Sequence, residues 1–210
     1  MADKPITFSA PMVLALLDGR KSQTRRVLKP QPEADARFSG FERDGQALFV
    51  RGCFYGKLRV PYAPGDRLYV REAHAIVGSV DPGWLLYRAD GYESECIRHG
   101  FTRPFPPESA VRWRPSIHMP RWASRLTLIV TDVRVQRLQE ISETDARAEG
   151  AIALGADESP DPDHRSFVWG FSTLWNSLHG PDAWDANPWV VALTFTVHRC
   201  NIDQMENADG

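Results

Sequence analysis

The spacing of apolar positions changes period several times along the chain, and each change marks an element. Met12-Val13-Leu14-Ala15-Leu16-Leu17 reads as a helix, with Val13, Leu16 and Leu17 at helical spacing, Pro11 suited to its first turn and Gly19 to its stop. Ile6-Thr7-Phe8 reads as a short strand before it. Ala47 to Arg51 and Phe54 to Val60 predict a hairpin around Gly52, with Gly56 weakening the second arm. After the turn signal Pro64-Gly65-Asp66, residues Arg67 to Ala73 read as a strand with Leu68 and Val70 on one face and Tyr69 and Arg71 on the other. Trp84 to Ala89 is a further short strand. In the longest candidate, Leu126 to Leu138, the alternation of Leu126, Leu128 and Val130 shifts phase to Val133 and Val135, which predicts a bulge or bend near Asp132.

Ser142-Glu143-Thr144-Asp145 has the form of a capping box and opens a brief helix that Gly150 ends. Arg165 to His179 is the strongest helix, and its stripe of Phe167, Val168, Phe171, Leu174, Trp175 and Leu178 predicts a core face. Past Pro188, Val191, Leu193, Phe195 and Val197 alternate with Thr194 and Thr196 in a closing strand. Residues from about Asp90 to Glu108 and from Ala156 to Asp163 read as surface excursions, and those from Asn201 onward as a frayed tail. The order of elements predicts an α+β domain on a small bent sheet, and bent strands of this kind favour a closed or partly closed barrel.

A length of 210 residues suits one domain with sizeable insertions, and 42% hydrophobic residues suffice for a core. The net charge of -2 excludes a global basic signature for duplex nucleic acid. Cys53, Cys96 and Cys200 give no disulfide framework, and no stretch approaches the ~18 apolar residues of a membrane span, so a cytoplasmic protein without a membrane partner is expected. Cys96 and His99 have helical spacing but no second ligand pair nearby, and neither a phosphate loop nor a nucleophile elbow is present. No metal and no cofactor are expected.

Candidate chemistry begins with Gly19-Arg20-Lys21-Ser22-Gln23-Thr24-Arg25-Arg26. A hydroxyl beside a lysine has the makings of a nucleophile beside a base, provided that burial and the neighbouring arginines make the lysine charge costly. The same basic residues would equally complement the dipole at a helix end. Glu149 falls in the last turn of its short helix, where the dipole disfavours a carboxylate and a nearby cation such as Lys21 would relieve it; the alternative is an exposed glutamate. Glu72 lies on the apolar face of its strand and needs a partner, water or an arginine among them. Trp113 to Trp122 mixes Trp113, His118 and Arg121 between prolines, a composition suited to stacking on a flat ring or to a rigid loop.

Ile6-Thr7-Phe8 followed by Gly19-Arg20-Lys21-x-x-Thr24-x-Arg26, with the Ser142-Glu143-Thr144-Asp145-Ala146-Arg147-Ala148-Glu149 helix, resembles the ASCH domain family, and in it the small YqfB-like amidohydrolases that deacetylate N4-acetylcytidine. Gly65 to Glu72 and Trp113 to Trp122 resemble a longer ASCH-like group common in phages and prophages. The resemblance implies a small PUA-like bent β-barrel with flanking helices over residues 1–200, insertions near 30–66 and 75–123, and a polar tail at 201–210. It implies a catalytic set of Lys21, Thr24 and Glu149, with Arg26, Glu72, Trp113, His118 and Arg121 expected to hold the substrate. The expected partner is a small modified nucleoside, with single-stranded RNA as the alternative, and the expected assembly is a monomer or weak dimer. The expected reaction is removal of an acyl group from N4-acylcytidine; the alternatives are an RNA or modified-base binding module without catalysis, and a ribonuclease.

Overall fold

The computed structural model describes residues 3–78, 83–105, 107–155 and 165–205. In chain order the elements are β1 (Asp3–Thr7), α1 (Ala10–Leu17), β2 (Gln23–Val27), β3 (Arg37–Phe41), β4 (Gln46–Arg51), β5 (Phe54–Arg59), β6 (Arg67–Arg71), β7 (His74–Val77), β8 (Trp84–Tyr87), α2 (Tyr92–Arg98), β9 (Thr127–Arg137), α3 (Glu143–Ala148), β10 (Leu154–Gly155), β11 (Arg165–Ser166), α4 (Phe167–His179) and β12 (Trp189–His198). The class is α+β. Two compact units are built from interleaved stretches of chain, one from residues 20–66 and 130–196, the other from 3–19, 67–129 and 197 onward. The described strands form open sheets and no closed barrel.

In the first unit β2 runs antiparallel to β12, with Thr24 opposite Leu193 and Arg26 opposite Val191. Val190 to Leu193 are buried without a break, as in a strand covered on both faces. Leu138, Ile141, Ala146, Ala151, Phe171, Trp175 and Val190 form a core that joins α3 and α4 to β12. The predicted stripe of α4 holds at Phe171 and Trp175, but Leu178 is exposed, because it lies in the last turn before Gly180 and beyond that core. Gly170 is required by packing, since a Cβ there would meet the Ile152 carbonyl oxygen at 1.8 Å. The phase shift in β9 is present: Leu128 and Val130 are buried, Thr131 and Asp132 are both exposed, and Val135 is buried again. The hairpin around Gly52 is β4–β5, and β3 adds a third strand that sequence pattern did not predict.

In the second unit β1 pairs parallel with β6, which pairs antiparallel with the start of β9. Leu68 and Val70 are buried as their alternation predicts. The expected excursion after Asp90 contains α2, which buries Glu95 and Cys96. Its polar residues are consumed internally: the Glu95 carboxylate accepts from the Tyr87 main-chain N–H at 2.7 Å and from Arg98 Nη2 at 2.7 Å. The start of the predicted frayed tail is also held. Asn201 Nδ2 donates to the carbonyls of Arg121 and Ser124 at 2.9 and 2.8 Å, and Ile202 is buried. Satisfied amide bonds and one buried isoleucine fix a segment whose composition alone reads as loose. The acidic excursion from Ala156 to Asp163 lies outside the described residues.

Candidate active site

Lys21 sits where the chain leaves α1 and turns into β2. Gly19 takes φ +72°, which stops the helix and releases the chain toward α3. There Lys21 and Glu149 form a short backbone bridge, and the Ser22 N–H donates to the Ala148 carbonyl at 2.8 Å. The end of α3 carries carbonyls without an intrahelical partner. Lys21 meets one of them: its Nζ donates to the Glu149 main-chain oxygen at 2.8 Å and to Glu149 Oε2 at 2.7 Å. The residue is only 2% exposed. Glu149, disfavoured at a helix C-terminus, is thereby placed against a cation, the relief that its position predicts.

A second cation shares the carboxylate. Arg25 Nη1 donates to Glu149 Oε1 at 3.0 Å, and Arg25 Nη2 to Asp145 Oδ2 at 3.0 Å. Asp145 also accepts from Gln23 Nε2 at 2.9 Å and from Arg134 Nη2 at 3.1 Å. Lys21, Gln23 and Arg25 therefore point one way, at every second residue, toward α3. The Arg25 guanidinium lies 5.9 Å from the centre of the Phe171 ring, so the apolar core and the charged centre share a wall. Arg25 and Asp145 were not among the sequence candidates; the signal that finds them is this period-two run of polar side chains.

Strand alternation puts Thr24 and Arg26 on the other face of β2 from Gln23 and Arg25. Thr24 is buried. Among the described residues no hydrogen bond joins its hydroxyl to the Lys21 ammonium. Arg26 is close enough to act on Lys21 through space, and Glu149 acts on Arg26 in turn.

Burial pushes the Lys21 pKa below the ordinary lysine value of 10.5, and Arg26 and Arg25 push the same way; the charge of Glu149 and its hydrogen bond oppose them without restoring it. Burial also lowers the Arg26 pKa, against Tyr62 and Glu149. The centre thus combines a desolvated ammonium, one carboxylate shared by two cations and a surplus of positive charge. Such a lysine gives up its proton more readily than one in water.

The other expected substrate-binding residues are in the second unit, and the structure ties most of them to internal partners. Glu72 is buried and held by a two-point pair with Arg125, Nε at 2.9 Å and Nη2 at 3.0 Å, and Arg125 also bonds Asp90 at 2.6 Å. The carboxylate on an apolar face has met an arginine. Arg121 is spent on Asp203 at 2.9 Å and Asp3 at 2.6 Å, with its guanidinium 5.6 Å from the Tyr69 ring centre. Trp113 is half-buried, with Arg88 at 5.8 Å from its ring centre. His118 is exposed in a short turn. Cys96 is buried, and His99 lies against the Leu85 carbonyl at 3.0 Å and stacks on Trp84. Among the described residues no group of three or more His, Cys, Asp or Glu side chains is arranged to hold a metal ion, and no helix is long and apolar enough to cross a membrane.

No protein-family model matches the chain, and no curated protein or solved structure matches it either.

Proposed function

We propose that the Lys21–Glu149 centre hydrolyses the amide bond of an N4-acylated cytosine nucleoside. The reading starts from the resemblance of the Lys21–Arg26 and Ser142–Glu149 segments to ASCH amidohydrolases, and the PUA-like arrangement of strands and the cytoplasmic location that go with it belong to the same proposal. One observation carries it: an almost fully buried lysine 2.7 Å from a glutamate 128 positions away, with burial lowering its pKa.

In this mechanism neutral Lys21 takes the Thr24 hydroxyl proton as Thr24 Oγ1 bonds to the acyl carbon. Thr24 lies on the other face of β2 from Gln23 and Arg25, so the transfer requires the Thr24 hydroxyl and the Lys21 amine to come within hydrogen-bond reach, directly or through one water, when substrate binds. Arg26, on the face of Thr24, supplies positive charge to the tetrahedral oxyanion. Collapse breaks the carbon–N4 bond, and the leaving nitrogen takes the proton held by Lys21. Cytidine departs and an acyl ester remains on Thr24. Water, deprotonated by Lys21, then attacks the ester carbon; the carbon–Oγ1 bond breaks and Lys21 returns the proton to Thr24 Oγ1, so the sum is acylcytidine and water giving cytidine and a carboxylic acid. Glu149 orients Lys21 and balances its charge when protonated.

A binding role without chemistry is favoured by a different fact: the Lys21 ammonium already closes the end of α3 and an ion pair, which is a structural occupation. A mass-read screen of the purified protein against acylated cytidines separates the two. Hydrolysis in the wild type, lost in Lys21→Met and Thr24→Val, is the expected result. The proposal fails if no acylated cytidine is cleaved, or if cleavage survives in folded Lys21→Met; salt-dependent RNA binding without product would then favour the binding module.

A further inference from the structure

We infer that the β5 edge of the three-stranded sheet is a self-association surface, on which a second copy of this chain pairs its own β5 antiparallel. The sheet order is β3-β4-β5, so among the described residues β4 is β5's one neighbour and its outer edge is open. The opposite edge is blunted: β3 carries a register shift between Phe38 and Gly40. β5 pairs in unbroken register from Phe54 to Arg59 and exposes Phe54 to 79% and Tyr55 to 72%. A regular edge with two solvent-facing aromatic rings is what a folded chain avoids unless something covers it.

The register follows from the turn. Gly52 and Cys53 form a two-residue loop in which Gly52 has φ +55° and Cys53 a negative φ, the type II′ pattern. Such a loop is closed by a hydrogen-bonded pair, here Arg51 and Phe54. Alternation then turns the main-chain groups of Phe54, Gly56 and Leu58 toward β4 and those of Tyr55, Lys57 and Arg59 outward.

A two-fold axis through Gly56 pairs Tyr55 of each copy with Lys57 of the other, both outward-bonding. It places Phe54 opposite Leu58 on the inner face. Apolar meets apolar there, and on the outer face a tyrosine ring lies along a lysine stem. Of the neighbouring registers in phase, the one centred on Lys57 sets two lysines, each paired with Glu42, against each other, and the one centred on Tyr55 pairs only residues 54–56 of the strand. The occupant is therefore a second copy, because the strand is complementary to itself as a two-fold contact requires.

Gly56 supports the same register. A Cβ there meets nothing within 4 Å and its φ is not positive, so the isolated fold does not require glycine. Glycine weakens a strand, and inside one it marks close approach of another backbone. At the axis the two Gly56 residues form the closely spaced, non-bonded pair. A groove of about 470 Å³ lies beside it, lined on the inner face by Phe49, Phe54, Gly56 and Leu58, and Phe54 of the second copy would cover it.

Sedimentation velocity on the full chain over a concentration series tests this. The wild type is expected to populate a dimer. Gly56→Asp and Gly56→Lys, whose Cβ would meet nothing within 4 Å in the isolated sheet, set like charges across the axis and are expected to weaken the dimer about tenfold or more. An equimolar mixture of the two is expected to restore it, since aspartate then faces lysine. Circular dichroism checks that each variant is folded; if either is not, Phe54→Glu at the exposed ring is read in the same way, with the same weakening expected. A wild type that stays monomeric throughout, or a dimer that none of these substitutions weakens, overturns the inference.

Discussion

The two units each bury a carboxylate against an arginine, and the two centres differ in what else they hold. In the second unit Glu72 and Asp90 share Arg125, whose guanidinium lies 3.9 Å from the centre of the Tyr87 ring. In the first, Lys21 and Arg25 share Glu149. In one centre two acids meet on one base; in the other two bases meet on one acid, with Asp145 taking the second branch of Arg25. Arginine does not give up its proton in a protein, whereas a desolvated lysine does. Burial works against the Arg125 charge and is outweighed by its bonds to Asp90 and Glu72, so its pKa rises; burial lowers that of Lys21 in spite of Glu149. The chemistry of the cation, together with the deeper burial of Lys21, separates a clamp from a candidate proton-handling site.

The largest effect that tests this contrast is on turnover. Lys21→Met is expected to lower acylcytidine hydrolysis by about 10²–10⁴-fold, the usual worth of a positioned base, and Lys21→Arg to fail equally, since it keeps the charge and loses the exchangeable proton. Arg125→Ala is expected to leave kcat unchanged. It should instead destabilise the fold by about 3–5 kcal/mol in urea melts, because it leaves Glu72 buried without its partner. A kcat loss in Arg125→Ala with none in Lys21→Arg would reverse the assignment of the two centres.

Stability against pH gives a second, intermediate contrast. Glu72 is raised above the ordinary 4.5, chiefly by burial, with Arg125 opposing. The folded state then holds its proton longer than the unfolded chain. Its contribution is full below 4.5 and is lost as pH rises to the elevated value. Lys21 is depressed below 10.5, so between its folded value and 10.5 the unfolded chain binds more protons and stability rises with pH. Urea melts should lose the acid-side slope in Glu72→Gln and the alkaline-side slope in Lys21→Met. The smallest effect is expected at Gln23→Ala, which removes the hydrogen bond to Asp145 and two long ones from Arg25 and Arg134 and costs about 1–2 kcal/mol with turnover nearly intact.

What sequence made legible, and what it hid, follows the same division between apolar packing and charge. The stop at Gly19, the phase shift in β9 and the buried face of α4 could be read because apolar periodicity or glycine geometry encodes them. β2 was hidden because its run, Gln23-Thr24-Arg25-Arg26-Val27, has no apolar alternation: its inward positions are occupied by ion pairs in place of hydrocarbon. The need of Glu149 for a cation was visible from its place at a helix end. That Arg25 would supply the second cation was not, because its partners stand 120 and 124 positions away: the period-two polar run gives the direction of Arg25 but not what it meets. Glu72 shows the converse, since the local pattern demanded a partner without saying whether it was a ligand or Arg125.

The ionisation of one side chain separates the two centres, and NMR titration of the Lys21 Nζ in protein carrying isotope-labelled lysine, assigned by its loss in Lys21→Met, reads it directly. The midpoint is expected below 10.5 and is expected to fall further in Glu149→Gln, which removes the charge and weakens the bond that oppose burial. A midpoint at or above 10.5 would contradict the central claim and make Lys21 a structural cation like Arg125.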